Sequence, residues 1–377
     1  MASVARGLVL LFLSGLAAAF AAQPGTAGRP APRSFQVSAD YQAAALDLDA
    51  AMRDWLKDGA ARRDGFVYGM DVAPLLLYAA WRNDAALYAQ LRTLAQPLIV
   101  SGGDAATDHF VLWRARRDRA PEVSGAPEAL WLARALWTGG RVLGREDDRA
   151  EAQKVLAAYA RHADRRHGDW IVRKYYAFGT HSFASLSILA GYAPDFVAEA
   201  LPGSAKAGGV AQRSYALLRQ SAAGGQLLLP LAQPDLEADF PHLGVTHFAP
   251  NNLMSLADSC DGAEGALRGA PDLARGVLAF VGAPPDRRDS NGRLYAYFHR
   301  KTGLGFGDAT LATTGYACLM RLAAALDDGE LQREIEPILA GDMQALAHAP
   351  QADGAPLFAA GPLLLTAYTV GAFGSGE

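Results

Sequence analysis

The strongest constraint on this chain is that it repeats. Six apolar, small-residue-rich helical segments begin near Tyr68, Gly125, Gly179, Ala249, Gly307 and Ala359, roughly 50–70 residues apart, the spacing of a supersecondary unit. Each of the first five is preceded by a more amphipathic helix and entered through a loop carrying polar residues. Outer and inner helices alternating six times predict an all-α (α/α)6 toroid spanning residues 37–377.

The outer helices carry the clean period. Tyr41, Ala44, Ala45, Leu48, Met52, Trp55 and Leu56 follow the i, i+3, i+4, i+7 rule, with Asp47, Asp49, Arg53 and Asp54 elsewhere. The same spacing recurs from Glu146 and from Glu330, and further outer candidates are Ala85 to Leu98, Val210 to Ala222 and Pro271 to Val281. Inner segments such as Glu128 to Trp137, Phe183 to Ala190 and Tyr316 to Ala325 are apolar nearly all round, so they are expected to be buried on most faces.

Connection lengths are unequal. Inner-to-outer links such as Arg82-Asn83-Asp84, Gly139 to Arg145 and Asp327 to Gly329 are short; most outer-to-inner links are long. Long loops therefore gather on one rim, at the N-termini of the inner helices, where a rigid scaffold usually carries function. One of them is expected to form a small β-hairpin near 291–305, because Asn291-Gly292 precedes Arg293 to His299 and Lys301-Thr302-Gly303 follows.

Residues 1–22 read as a signal peptide. Arg6 supplies the positive start, Gly7 to Phe20 the apolar run and Ala19-Phe20-Ala21 the cleavage site. Residues 23–36 read as a flexible leader, and a periplasmic or secreted location with no membrane span after cleavage is expected. The formal charge of −4 argues against a nucleic-acid partner. The runs Arg114 to Arg117 and Arg161 to His167 read as solvated helix ends. Export permits a disulfide between Cys260 and Cys318, the only cysteines, and two buried thiols are equally compatible with the sequence. No metal site or cofactor is expected, since clustered ligands and a Gly-rich phosphate loop are both missing.

The rim offers Asp64, Tyr68 and Asp71, then Ser124 and Glu128, then Arg173, Tyr175 and His181, then Asn251 and Asn252, then Asp308 and Tyr316. Carboxylates, aromatics, amides and arginine around one cavity suit a sugar chain: rings stack on sugar faces, amides bond hydroxyls and two carboxyls cleave the glycosidic link. Asp64, Glu128 and Asp308 are the candidate catalytic acids, with Asp258 an alternative base. Tyr68, Asp71, Arg173, Tyr175, His181, Asn251, Asn252 and Tyr316 are candidate substrate contacts.

At Asp64-Gly65-Phe66-Val67-Tyr68-Gly69-Met70 the chain resembles glycoside hydrolase family 8, an inverting endoglucanase family whose acid-Gly-x-x-Tyr-Gly-Met pattern enters the first inner helix. The resemblance implies that Asp64 stands for the proton donor, a Glu in that family, and that Glu128 stands for a substrate-binding acid. Asn251-Asn252 occupy the region of the family's general base. The expectation is an exported polysaccharide-acting enzyme without cofactors, an inverting hydrolase of a β-linked glucan or exopolysaccharide. Two alternatives stay open: a polysaccharide lyase using Tyr175, His181 and Asn251 with Arg173 or Asn252, and a non-catalytic glycan-binding component.

Overall fold

The computed structural model describes residues 35–57, 59, 64–102, 104–166, 169–184, 187–222, 253–282, 287–299, 302–307, 309–349 and 355–373. The expected signal peptide and most of the leader lie outside them. Outer helices are α1 (Ala39–Lys57), α3 (Ala85–Ala95), α5 (Glu146–Tyr159), α7 (Ala205–Ser221), α9 (Pro271–Val281) and α11 (Gly329–Ala347). Inner helices are α2 (Gly69–Trp81), α4 (Ala126–Val142), the short α6 (Pro194–Ala200), α8 (Leu256–Gly265), α10 (Thr313–Ala325) and α12 (Ala355–Thr369). No helix among the described residues is long and apolar enough to cross a membrane.

The inner helices close a ring. Helix α2 packs against α12 and α4, a 3₁₀ turn at Leu189–Gly191 joins α4 to α8, and α10 links α8 to α12. Each inner helix packs on the outer helix that follows it, and α12 packs on α1, so the two ends of the chain complete the sixth hairpin. The all-α toroid read from the repeat is the observed fold. Two glycines set the spacing inside the ring: a Cβ on Gly315 would sit 2.8 Å from Leu256 Cγ, and one on Gly361 2.7 Å from Pro74 Cβ.

The short links share one device. A residue with positive φ reverses the chain: Asn83 (55°), Gly144 (68°) or Asp327 (57°). In two links the next residue caps the outer helix, Asp84 accepting from Leu87 N–H and Asp328 from Leu331 N–H. The long links hold the strands. Strand β1 (Val67–Tyr68) pairs with β2 (Arg114–Ala115), and β3 (Val123–Gly125) pairs with β6 (Tyr175–Ala177). Strands β4 (Ala163–Arg166) and β5 (Asp169–Val172) form a separate antiparallel pair.

The expected hairpin is present as β9 (Tyr297–His299) and β10 (Gly305–Phe306), and β8 (Leu253–Ser255) adds a third strand on β9. Asn291-Gly292 makes its own tight turn, closing a bridge between Arg288 and Leu294.

The third inner segment corrects the sequence expectation. Residues from Gly179 do not start a helix: β7 (Ser182–Phe183) pairs with β6, and His181 turns the chain at φ 50°. Backbone groups that a helix would satisfy internally are taken by the sheet, as in Ala184 N–H to Tyr175 O. The apolar helix appears only after Pro194, as the seven residues of α6. The basic runs are corrected too. Arg114 packs over Phe66 and Trp113, and His162 is buried against Phe110.

Cys260 and Cys318 form a disulfide that ties α8 to α10. Beside it Arg321, 5% exposed, donates to Glu264 through Nε and Nη2 and to Thr366 Oγ1 through Nη1. One buried ion pair thereby links three inner helices.

Candidate active site

A cleft of about 580 Å³ opens at the N-terminal ends of the inner helices. Met70 and Pro74 reach it from α2, Glu128 and Trp131 from α4, and Asp258 and Asp261 from α8. Lys174 and Tyr175 enter from β6 and the residue before it, Thr314 and Arg321 from α10, and Phe358 from α12. Trp113, 38% exposed, stands at its edge.

Glu128 lies in the first turn of α4, and two glycines make room for it. A Cβ on Gly125 would fall 2.6 Å from Glu128 Cδ, and one on Gly69 would fall 3.0 Å from its Cγ. Gly125 precedes the helix with φ −122° and ψ 140°, an extended conformation open to any residue. Its glycine is therefore required by the space the Glu128 carboxyl occupies. Burial raises the Glu128 pKa, while its own backbone N–H and the nearby Lys174 ammonium oppose the rise.

Asp258 and Asp261 are three residues apart on α8, so both project from the same face. Burial raises Asp258, with Lys174 and the Ser255 hydroxyl lowering it in part. Asp261 is pushed up to about 7 by burial, with Arg321 and Arg134 opposing and Glu264 and Asp258 adding to it. Glu264 behaves oppositely: burial disfavours its charge, yet the Arg321 guanidinium outweighs this and holds it below its usual value. Lys174 thus acts on two carboxyls from different inner helices, Glu128 and Asp258.

Asp64 sits outside the cleft lining. Its carboxylate accepts from Phe66 N–H at 2.9 Å and from Tyr68 Oη at 2.6 Å, and Arg114 approaches to 3.6 Å. Tyr68 meets the edge of Trp113 at 5.6 Å between ring centres, and Arg114 donates to Tyr68 Oη. Tyr68 therefore meets the cleft only through its contact with Trp113, and Asp64 only through Tyr68. Of the candidate substrate contacts among the described residues, Tyr175 lines the cleft itself.

The remaining predicted residues lie elsewhere. Asp71 is fully buried within α2. Arg173, 4% exposed, donates to Ala184 O. His181 lies on an exposed turn, 3.4 Å from Tyr176 Oη. Tyr316 is fully buried, and its hydroxyl accepts from Leu294 N–H. Asp308, Asn251 and Asn252 lie outside the described residues. The lyase set is not assembled among the described residues, since Tyr175 lines the cleft while Arg173 and His181 do not.

Sequence reasoning passed over Trp113, Trp131, Lys174 and Asp261. The i, i+3 aspartates of α8 were the available signal; nothing local marks Lys174, whose neighbours arrive from distant helices. Among the described residues one group with metal-ligating side chains, Asp261, Glu264 and Cys318, has its ligand atoms within 4.8 Å of one another. The Cys318 sulfur is spent in the disulfide and Glu264 is paired with Arg321, so this group does not fit a metal.

No family model matches the chain, and no curated relative matches it in sequence. Solved structures do. An endo-β-1,4-glucanase, CMCax from Acetobacter xylinum, superposes with a TM-score of 0.60 at 15% identity, covering 87% of this chain and 98% of that one. PssZ from Listeria monocytogenes gives 0.60 at 14% identity, covering 90% and 97%. An α-amylase from Clostridium perfringens gives 0.62 at 10% identity, covering 80% and 86%. The chain has the helical toroid of these proteins over most of its length, so the resemblance to glycoside hydrolase family 8 holds at the level of fold.

Proposed function

We propose that this protein is an exported glycoside hydrolase that cleaves a β-linked glucan or related exopolysaccharide with inversion. The observation that carries it is the pair Glu128 and Asp258. They come from separate inner helices, each has its pKa raised by burial, and they share a cleft with Trp113, Trp131 and Tyr175. Glu128 is assigned as proton donor, because the space cleared by Gly69 and Gly125 lets the protein enclose it and keep its proton. Asp258 is assigned as the base that activates water, because Ser255 and Lys174 favour its charged form. Asp64 and Tyr68 orient the sugar at the entrance, a weaker role than the donor's that the family resemblance suggested. The acts of CMCax on β-1,4-glucan support the substrate class by likeness of fold. The Cys260–Cys318 disulfide suits the oxidising compartment that the signal-like N-terminus implies.

The test is incubation with soluble β-1,4-glucan, counting new reducing ends and following the anomer formed first by NMR. Release of the α-anomer, abolished in Glu128→Gln and Asp258→Asn and only weakened in Asp64→Asn, is the expected result. Asp64→Asn losing as much as Glu128→Gln would return the donor role to Asp64. Wild-type protein inactive on β-glucans, xylans and bacterial exopolysaccharides, yet still binding one of them, would favour a non-catalytic glycan-binding role.

A further inference from the structure

Behind the cleft the ring holds further space. A narrow space of about 30 Å³ shares Trp131, Ala190 and Asp261 with the cleft. It also shares Arg134 and Glu264 with a second cavity of about 330 Å³. That rear cavity lies among the C-terminal ends of the inner helices, bordered by Trp81 of α2, Trp137 and Arg141 of α4, and Gly265 of α8.

Its carboxylates are matched. Asp195 accepts from Tyr215 Oη and from the backbone N–H groups of Arg268 and Gly269. Glu199 takes Arg141 at 2.8 Å and Arg268 at 3.0 Å, and Glu264 takes Arg321. Arg134 differs. Among the described residues its guanidinium makes no hydrogen bond or ion pair; it rests near the rings of Trp81 and Trp131, at 5.9 and 6.0 Å. The Trp81 indole N–H, on a residue 8% exposed, also has no acceptor among the described residues.

A guanidinium that no carboxylate pairs directly has donors open to a bound anion, and its planar fork matches a carboxylate. The tryptophan walls suit a sugar ring, and the volume sits at the small end of ligand cavities, which run from about 300 Å³. We infer that the rear cavity is a second ligand site that takes one sugar acid of hexuronate size, with its carboxylate on Arg134.

This inference is independent of the hydrolase reading, because its readout is binding. Titration calorimetry with glucuronate, glucose and inorganic phosphate tests it on the whole protein. Glucuronate is expected to bind one site, glucose about tenfold or more weaker, since a charge-assisted contact is lost. Arg134→Leu should lose at least about tenfold for the same reason, Arg134→Lys should retain part of the affinity, and Glu128→Gln should change nothing at the rear. Asp261, faced by Arg321 of α10, Arg134 of α4 and Asp258 and Glu264 of its own helix, adds a pH signature. As Asp261 ionises near pH 7, affinity should fall about fivefold between pH 6 and 8, and Asp261→Asn should remove that dependence. Equal binding by folded Arg134→Leu, loss in Glu128→Gln, phosphate binding as well as glucuronate, or no binding by the wild type would each overturn the proposal.

Discussion

Replacing Gly125 with alanine tests the site through a single methyl group. The extended backbone at Gly125 accepts any residue, and no side chain caps α4 there, so the added Cβ has one consequence. It would lie 2.6 Å from Glu128 Cδ, where non-bonded carbons ordinarily keep about 3.5–4.0 Å. The carboxyl must retreat by about 1 Å, a displacement that costs on the order of 10²-fold at a reacting centre. A displaced general acid loses about 10²–10⁴-fold, so we expect kcat on β-glucan to fall about 10²-fold with KM within threefold. Exchanging glycine for alanine before a helix costs about 1 kcal/mol, or about 1–2 °C in Tm for a chain this long. The assay is initial rates of reducing-end release against substrate concentration, beside a thermal melt. Gly125→Ala with kcat within twofold of the wild type, while Glu128→Gln is inactive, would refute the assignment of Glu128 as donor. A Tm loss of about 8 °C or more would instead show that Gly125 serves the fold, against the reasoning from its backbone angles.

Three further outcomes are expected. Asp261 binds its proton more tightly folded than unfolded, so it costs the fold stability as pH rises from its ordinary 3.8 through about 7. Asp261→Asn should accordingly melt higher than the wild type at pH 8, with the gap shrinking towards pH 4; a gap that widens on acidification contradicts this sign. Removing the disulfide by Cys260→Ser with Cys318→Ser opens a loop closed across 58 residues. That should cost about 4 kcal/mol and about 5–6 °C in Tm, and an unchanged melt would contradict the bond. Trp113→Ala should raise KM for long glucans several-fold at unchanged Tm, since the ring is 38% exposed at the cleft edge; an unchanged KM removes Trp113 from substrate contact.

Glu128 and Tyr175 were visible in the sequence as polar groups at the starts of apolar segments, and both line the cleft. Tyr316 and Arg173 carried the same signal and lie buried, the first taking Leu294 N–H and the second giving to Ala184 O. Position along a helix shows which residues lie near the rim. It does not show whether a side chain turns to the axis or to the neighbouring layer.

The sequence by itself determined the alternation of outer and inner helices, the short and long links and hence the working rim, because periodicity and turn chemistry are local. The shape of the third inner segment was decided by tertiary structure, where the strand at Tyr175–Ala177 captured Ser182–Phe183, backbone that its apolar composition alone would have made helical. The gathering of Glu128, Lys174, Asp258 and Asp261 was also a tertiary outcome. Groups up to 133 positions apart meet only when the ring closes, and the burial that raises those carboxyl pKa values exists only in the closed ring.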